Sequence, residues 1–123
     1  MAVNYVTAVK TTRMNAVLAA IDAGVGAGYV NIYTAAYAVL LVTVNFADPC
    51  GVVAGAVLTF TMPRTGLGLG AGNAAIARIY DSAATMVADG ITVGTVGTDI
   101  IIDNVSIAVG QTVNITAGAI THG

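Results

Sequence analysis

The chain has no glutamate and no tryptophan, one cysteine, one histidine and two prolines in 123 residues. Each scarcity removes a class of function. Cys50 cannot form a disulfide or a cysteine-based metal cluster within one chain, so stability must come from packing. Nucleophilic catalysis needs a nucleophile and a base within reach of one another. The sole histidine, His122, stands one residue from the carboxyl end of the sequence, where chains fray. A Cys50–His122 pair is therefore a poor catalytic candidate, and Cys50 reads as a small buried thiol.

Charge is equally sparse. Charged residues make up 8% of the chain and hydrophobic ones 57%, with a mean hydropathy of +0.87. Soluble domains usually carry about a quarter charged residues, so part of this surface is expected to be buried by neighbours. Lys10, Arg13, Arg64 and Arg78 are the basic side chains against six aspartates, a formal charge of −2. Four scattered cations do not form the electrostatic footprint of a nucleic-acid binder. No charge occurs between Asp22 and Asp48, but Gly24, Gly26, Gly28, Asn31, Thr34, Thr43 and Asn45 interrupt that stretch. A membrane helix is not expected there. The amino terminus shows no basic-then-apolar secretory pattern, which implies a cytoplasmic origin.

Carboxylate chemistry would rest on Asp22, Asp48, Asp81, Asp89, Asp99 and Asp103. Most adjoin Gly, Pro, Ser or Asn, where an aspartate shapes a turn. Asp99 and Asp103 could share a calcium ion, yet no D-x-[DN]-x-[DN]-G loop is present, and no metal or cofactor is expected. The run GLGLGAG has glycine at every second position, unlike G-x-G-x-x-G, and no Gly-Lys-Ser/Thr follows. It is not a phosphate loop. Tyr5, Tyr29, Tyr33, Tyr37 and Tyr80 could stack on a sugar, but most fall in or beside predicted core elements, which favours core or interface.

One helix is predicted, over Thr7–Ala23, with Gly24 placed to end it. At 100° per residue Val6, Met14, Val17, Leu18 and Ile21 share a sector, with Thr11, Thr12, Asn15 and Asp22 opposite. Lys10 falls inside the apolar sector and Arg13 at its margin. They either meet an acidic partner or lay their stems along the core edge.

Short β-branched runs follow. Predicted strands are Tyr29–Tyr33, Val39–Phe46, Ala56–Met62, Ala74–Tyr80, Thr85–Val93, Thr98–Ile102, Asn104–Ala108 and Thr112–Ile120, cut by Asp48-Pro49, Asp81-Ser82 and Gly110-Gln111. In the second run Leu40, Val42, Val44 and Phe46 face one way, and Leu41, Thr43 and Asn45 the other. Gaps too short for helical crossovers favour antiparallel pairing. The expected fold is a single mainly β domain, a jelly-roll-like antiparallel β-sandwich spanning 29–121 behind an N-terminal helical segment, 1–24. Pro63–Asn73, with glycine at 66, 68, 70 and 72, is expected to be a mobile tip or an arm ordered by a neighbour.

The opening NYVTAVKTTRMNAVLAAIDAG, the central VLTFTMP, then AAIARIYDS, DGITVGTVGTDI and the closing SIAVGQTVNITAGAITHG resemble small structural virion proteins of tailed bacteriophages and prophages. The best-fitting class is the capsid cement, or decoration, protein. The resemblance implies a non-enzymatic β domain, dimeric or trimeric, that sits on the outer capsid surface, contacts the major capsid protein and bridges capsomers. Phage tail or head–tail connector components are the alternative within the virion, and a carbohydrate-binding β-sandwich is the alternative outside it. No motif transfers a site. The candidate partner contacts come from physical reasoning alone: Lys10 and Arg13 on the helix, Arg64, Leu67 and Leu69 in the glycine-rich segment, and His122.

Overall fold

The computed structural model of the protein describes residues 6–23, 27–47 and 50–121. One helix, α1 (Thr7–Ile21), precedes eleven strands: β1 (Tyr29–Tyr33), β2 (Leu40–Asn45), β3 (Gly51–Ala54), β4 (Val57–Phe60), β5 (Arg64–Leu67), β6 (Gly72–Asn73), β7 (Ile76–Tyr80), β8 (Met86–Gly94), β9 (Ile100–Ile102), β10 (Ser106–Ile107) and β11 (Thr112–Thr121). The fold is mainly β with one N-terminal helix, as the periodicities predict. Gly24, Asp48-Pro49 and His122 lie outside the described residues.

The strand order differs from the expected antiparallel sandwich. Nine strands form one curled sheet in the order β2-β1-β7-β8-β9-β11-β4-β3, with β5 joined to β11, and β6 and β10 pair separately. The sheet is mixed, because β8 and β9 run parallel through Val93↔Ile100 and Gly94↔Ile101. All other strand pairs are antiparallel. A parallel link usually needs a long crossover. Here the link is the turn at 95–99, which Asp99 closes by accepting from the Thr92 N–H at 3.2 Å and donating its own N–H to the Thr92 hydroxyl at 3.0 Å.

Strand β11 holds the sheet together. Its first half pairs with β5 from Thr112↔Leu67 to Ile115↔Arg64. Its second half pairs with β4 through Ala119↔Thr59, Ile120↔Leu58 and Thr121↔Val57. Strands β4 and β5 thus act as one strand bent at Thr61–Pro63. Beyond the bend, β5 swings away from β4 and reaches β2 at the far edge of the sheet, where Val42 and Gly68 form an isolated bridge.

Strand β3 was missed by the sequence reading. It pairs with β4 across a two-residue turn, Gly55-Ala56, with φ of 57° and 67°, the left-handed pair that matches the twist of a tight hairpin. Ala56 lies in that turn and not in the predicted strand. Helix α1 docks on the hairpin. The Thr11 hydroxyl accepts the Ala56 N–H at 3.1 Å and the Asp22 carboxylate accepts the Cys50 N–H at 3.0 Å. These two residues, placed on the polar side by the helical wheel, therefore satisfy hairpin backbone groups, while Val6 is 67% exposed instead of packing. Met14 and Ile21 are buried, with Val17 and Leu18 packed against the core.

In β2 the expected alternation holds for Val42, Val44 and Phe46, all buried. It fails at Leu41, which is also buried. The ladder with β1 skips from Ile32↔Val42 to Tyr33↔Leu40, so Leu41 is the extra residue of a β-bulge and turns inward. Phe46 stacks on Phe60, ring centroids 4.6 Å apart, at the centre of the core. Because Val44 has no exposure, Val44→Asp should cost about 3 kcal/mol or more through an unpaired buried charge. Thr43 faces outward, so Thr43→Asp should cost much less. Chemical denaturation of the two variants measures both, and equal losses would refute this facing.

Candidate functional site

The segment expected to be a mobile loop is part of the sheet. Its alternating glycines point inward, against backbone. A Cβ on Gly66 would lie 2.6 Å from the Thr43 carbonyl oxygen, one on Gly70 2.6 Å from that of Leu40, and one on Gly68 would overlap the Ala108 carbonyl. Only hydrogen fits in these positions. The approach lets Leu69 and Gly70 donate to the Leu41 carbonyl at 2.6 and 3.3 Å, and Gly68 donate to Gln111 at 2.7 Å. Gly110 returns a bond to the Gly68 carbonyl at 2.8 Å.

If the glycines face inward, the residues between them must face solvent. Leu67 is 60% exposed and Leu69 58%. Val109, in the turn bonded to Gly68, is 71% exposed, and Val39, beside Gly70, is 43% exposed. The seam where the curled sheet closes thus carries an apolar ridge on a strand whose backbone is already hydrogen-bonded.

Arg64 has another role than the one expected. Its Nε donates to the Asn45 carbonyl at 2.8 Å and its Nη2 to Phe46 at 3.4 Å, so it clasps β5 to the end of β2. Lys10 and Arg13 sit apart from the ridge, on the part of α1 that meets the β3–β4 turn. The structure therefore gathers Leu67 and Leu69, with Val109 exposed in the turn bonded to Gly68, and engages Arg64 with the carbonyls of Asn45 and Phe46 instead. Val109 was legible as an apolar residue next to Gly110, but nothing in the sequence placed it beside Gly68.

Asp81, Asp99 and Asp103 accept from backbone N–H groups, the role expected of most of the aspartates. Asp81 accepts from Ala83 and Thr85, both at 2.9 Å. Asp99 is bound to Thr92, and Asp103 to the Asn114 side chain at 3.0 Å. Asp99 and Asp103 are thus committed to different strands at opposite ends of β9. Cys50 is buried. Among the described residues no three His, Cys, Asp or Glu side chains gather to hold a metal, and no helix is long and apolar enough to cross a membrane. A shallow groove of about 310 Å³ lies over β4, β9 and β11, lined by Phe60, Met62, Thr98, Asp99, Ile101 and Thr116.

A second surface lies on the outer face of β1 and β7. Tyr29 and Tyr80, cross-strand neighbours, stack at 5.2 Å with planes 14° apart. Tyr33 and Tyr37 meet edge to face at 5.4 Å. The Arg78 guanidinium carbon lies 3.8 Å from the centre of the Tyr37 ring and 5.5 Å from that of Tyr33. Tyr37 is delivered by a strained turn in which Ala36 and Tyr37 both have φ of 58°. A left-handed non-glycine residue costs about 1–2 kcal/mol, offset here by the ring's place over Arg78 and by the 2.7 Å bond that the Gly90 N–H donates to the Tyr37 hydroxyl.

Hydrogen bonding to Tyr33, then burial, raises the Tyr80 hydroxyl above its usual pKa, with Arg78 opposing. A raised folded-state pKa contributes stability that is present below the unfolded value of 10.0 and is lost as pH rises through the folded value. Alkaline unfolding should therefore be less steep in Tyr80→Phe than in the parent, as thermal melts from pH 9 upward would show.

Fold and seam together describe a charge-poor β shell with one helix and an exposed apolar ridge. No protein-family model matches the chain, and neither does any curated protein or solved structure. The glycine contacts make their own prediction. Gly68→Ala should cost about 2 kcal/mol or more by overpacking, and deleting Leu67–Gly72 should unfold the domain. Leu67→Ala should stay within about 0.5 kcal/mol of the parent. Melting temperatures of the three variants are the check.

Proposed function

We propose that the protein is a bacteriophage capsid cement protein, a non-enzymatic component that self-associates, binds the outer shell through the major capsid protein and bridges capsomers. The observation that carries this reading is the ridge of Leu67 and Leu69 with Val109 in the adjoining turn, all more than half exposed on backbone fixed by hydrogen bonds. A contact surface that is ordered before binding loses little conformational entropy on docking. Repetition over many copies then multiplies a modest single contact. The scarcity of charge supports the same reading, since surface committed to neighbours has no need of solvating side chains. The resemblance supplies the virion. The jelly roll common in that class is matched only as far as a β-rich shell.

The test is the double variant Leu67→Asp with Leu69→Asp. Both positions face solvent, so circular dichroism and melting temperature should be close to the parent's. Self-association by sedimentation and occupancy on phage heads should fall at least about tenfold, the effect of losing about 1.4 kcal/mol per contact, and DNA should leave heated particles sooner. Unchanged occupancy would sink the ridge as the contact surface. A copy number in virions of tens, rather than one approaching that of the capsid protein, would favour a tail or head–tail connector component.

A further inference from the structure

The face of β1 and β7 carries chemistry that the ridge does not use. Tyr29, Tyr33, Tyr37 and Tyr80, four of the five tyrosines, lie there with Arg78, one of three arginines. All five side chains are half-buried, so each keeps some surface in contact with solvent. Beside them the Thr43 hydroxyl donates to Asn31 Oδ1 at 2.6 Å, and Asn31 Nδ2 donates to the Tyr33 hydroxyl at 3.4 Å. The face is therefore lined by rings and edged by hydroxyl and amide groups.

Arg78 is the anomaly. The groups that bear on its charge are tyrosines, and no carboxylate is among them. Its Nε is buried and has no hydrogen-bond partner. A buried donor left unmade is costly. Nε together with one Nη is the edge that a carboxylate grips in a bidentate pair. Tyr37 covers the flat side of the guanidinium, so a carboxylate reaches the buried Nε only as the Tyr37 turn, tied to β8 through Gly90, moves aside.

We propose that this face binds a saccharide bearing a carboxylate, its ring laid against Tyr29 and Tyr80 and its carboxylate received by Arg78. Aromatic rings take the C–H face of a sugar, and the surrounding hydroxyl and amide groups suit its hydroxyls. A polyphosphate chain is a worse match, because Arg78 is the one cation on the face and successive phosphates need successive cations. The proposal is independent of the ridge, which lies beyond β2.

The chain lacks tryptophan and four of its five tyrosines lie on this face, so its tyrosine emission comes mainly from here. Linear tetramers of galacturonate and of galactose are suitable probes. The acidic tetramer should change the emission saturably, with an affinity at least about tenfold above that of the neutral one. Arg78→Gln should erase that difference, and Tyr29→Ala should weaken both. On the unmodified protein, the acidic tetramer should shift the amide resonances of Asn31, Arg78 and Gly90 and leave those of Gly68 and Val109 in place. The Leu67→Asp, Leu69→Asp protein should bind it as the parent does, which separates failure here from failure of the ridge. No saturable change, equal affinity for the two tetramers, or shifts confined to other parts of the protein would each overturn the proposal. Should Arg78→Gln fail to fold, the resonance map of the unmodified protein decides.

Discussion

The structure depends on a contact with no side chain on one side of it. Gly66, Gly68 and Gly70 press against the carbonyls of Thr43, Ala108 and Leu40, and that approach joins the far edge of a curled sheet to its centre. With it come the Val42–Gly68 bridge, the Arg64 clasp on Asn45 and Phe46, and the burial of Val42 and Val44 beneath β5. Without it β2 would be an open edge with unpaired backbone groups, a template for unwanted pairing. The same geometry fixes the outside, since the residues between three inward glycines have nowhere to go but solvent.

The sequence conveys most of what depends on side-chain periodicity. Strand β1 has the predicted bounds, β11 begins at the predicted residue, and the inward set Val42, Val44 and Phe46 follows from period two. Leu41 was not legible, because a bulge is set by the partner strand's register and leaves alternation on its own strand ambiguous. The glycine strand escaped for a related reason. Hydropathy registers buried side chains, whereas Gly66, Gly68 and Gly70 bury backbone, so an inward face made of hydrogen atoms reads as flexibility. Alternation of Gly with Leu was itself the strand signal, with the usual polarity of inside and outside reversed.

Of the surface residues, Leu67 and Leu69 were legible and their neighbours were not. Val39 and Val109 come from turns far apart in the chain and approach the glycine strand, at Gly70 and Gly68, only because the sheet closes. Arg64 was expected to be a partner contact, but its fork is spent on the carbonyls of Asn45 and Phe46 at the end of β2. Thr11 and Asp22 show the limit of the helical wheel: it sorts residues by polarity, whereas a docked hairpin with open N–H groups asks for oxygen on the packed side. The tyrosines were legible as a set. Their convergence around Arg78 was not, since it relies on the left-handed turn at Ala36 and Tyr37, a conformation that the sequence Ala-Ala-Tyr gives no reason to expect.

Strand β11 is made after every strand that it joins. It pairs with β9 on one side and with β4 and β5 on the other, so the central ladder of the shell cannot exist while the ribosome is still adding residues before Thr112. Until then β1, β2, β7 and β8 can pair among themselves, but β4, β5 and β9 have no strand between them. Folding dominated by such distant pairings is slow. A growing chain that is this rich in apolar residues then leaves the inner faces of β4, β5 and β9 uncovered until β11 is made, and exposed apolar strands of that kind associate with copies of themselves.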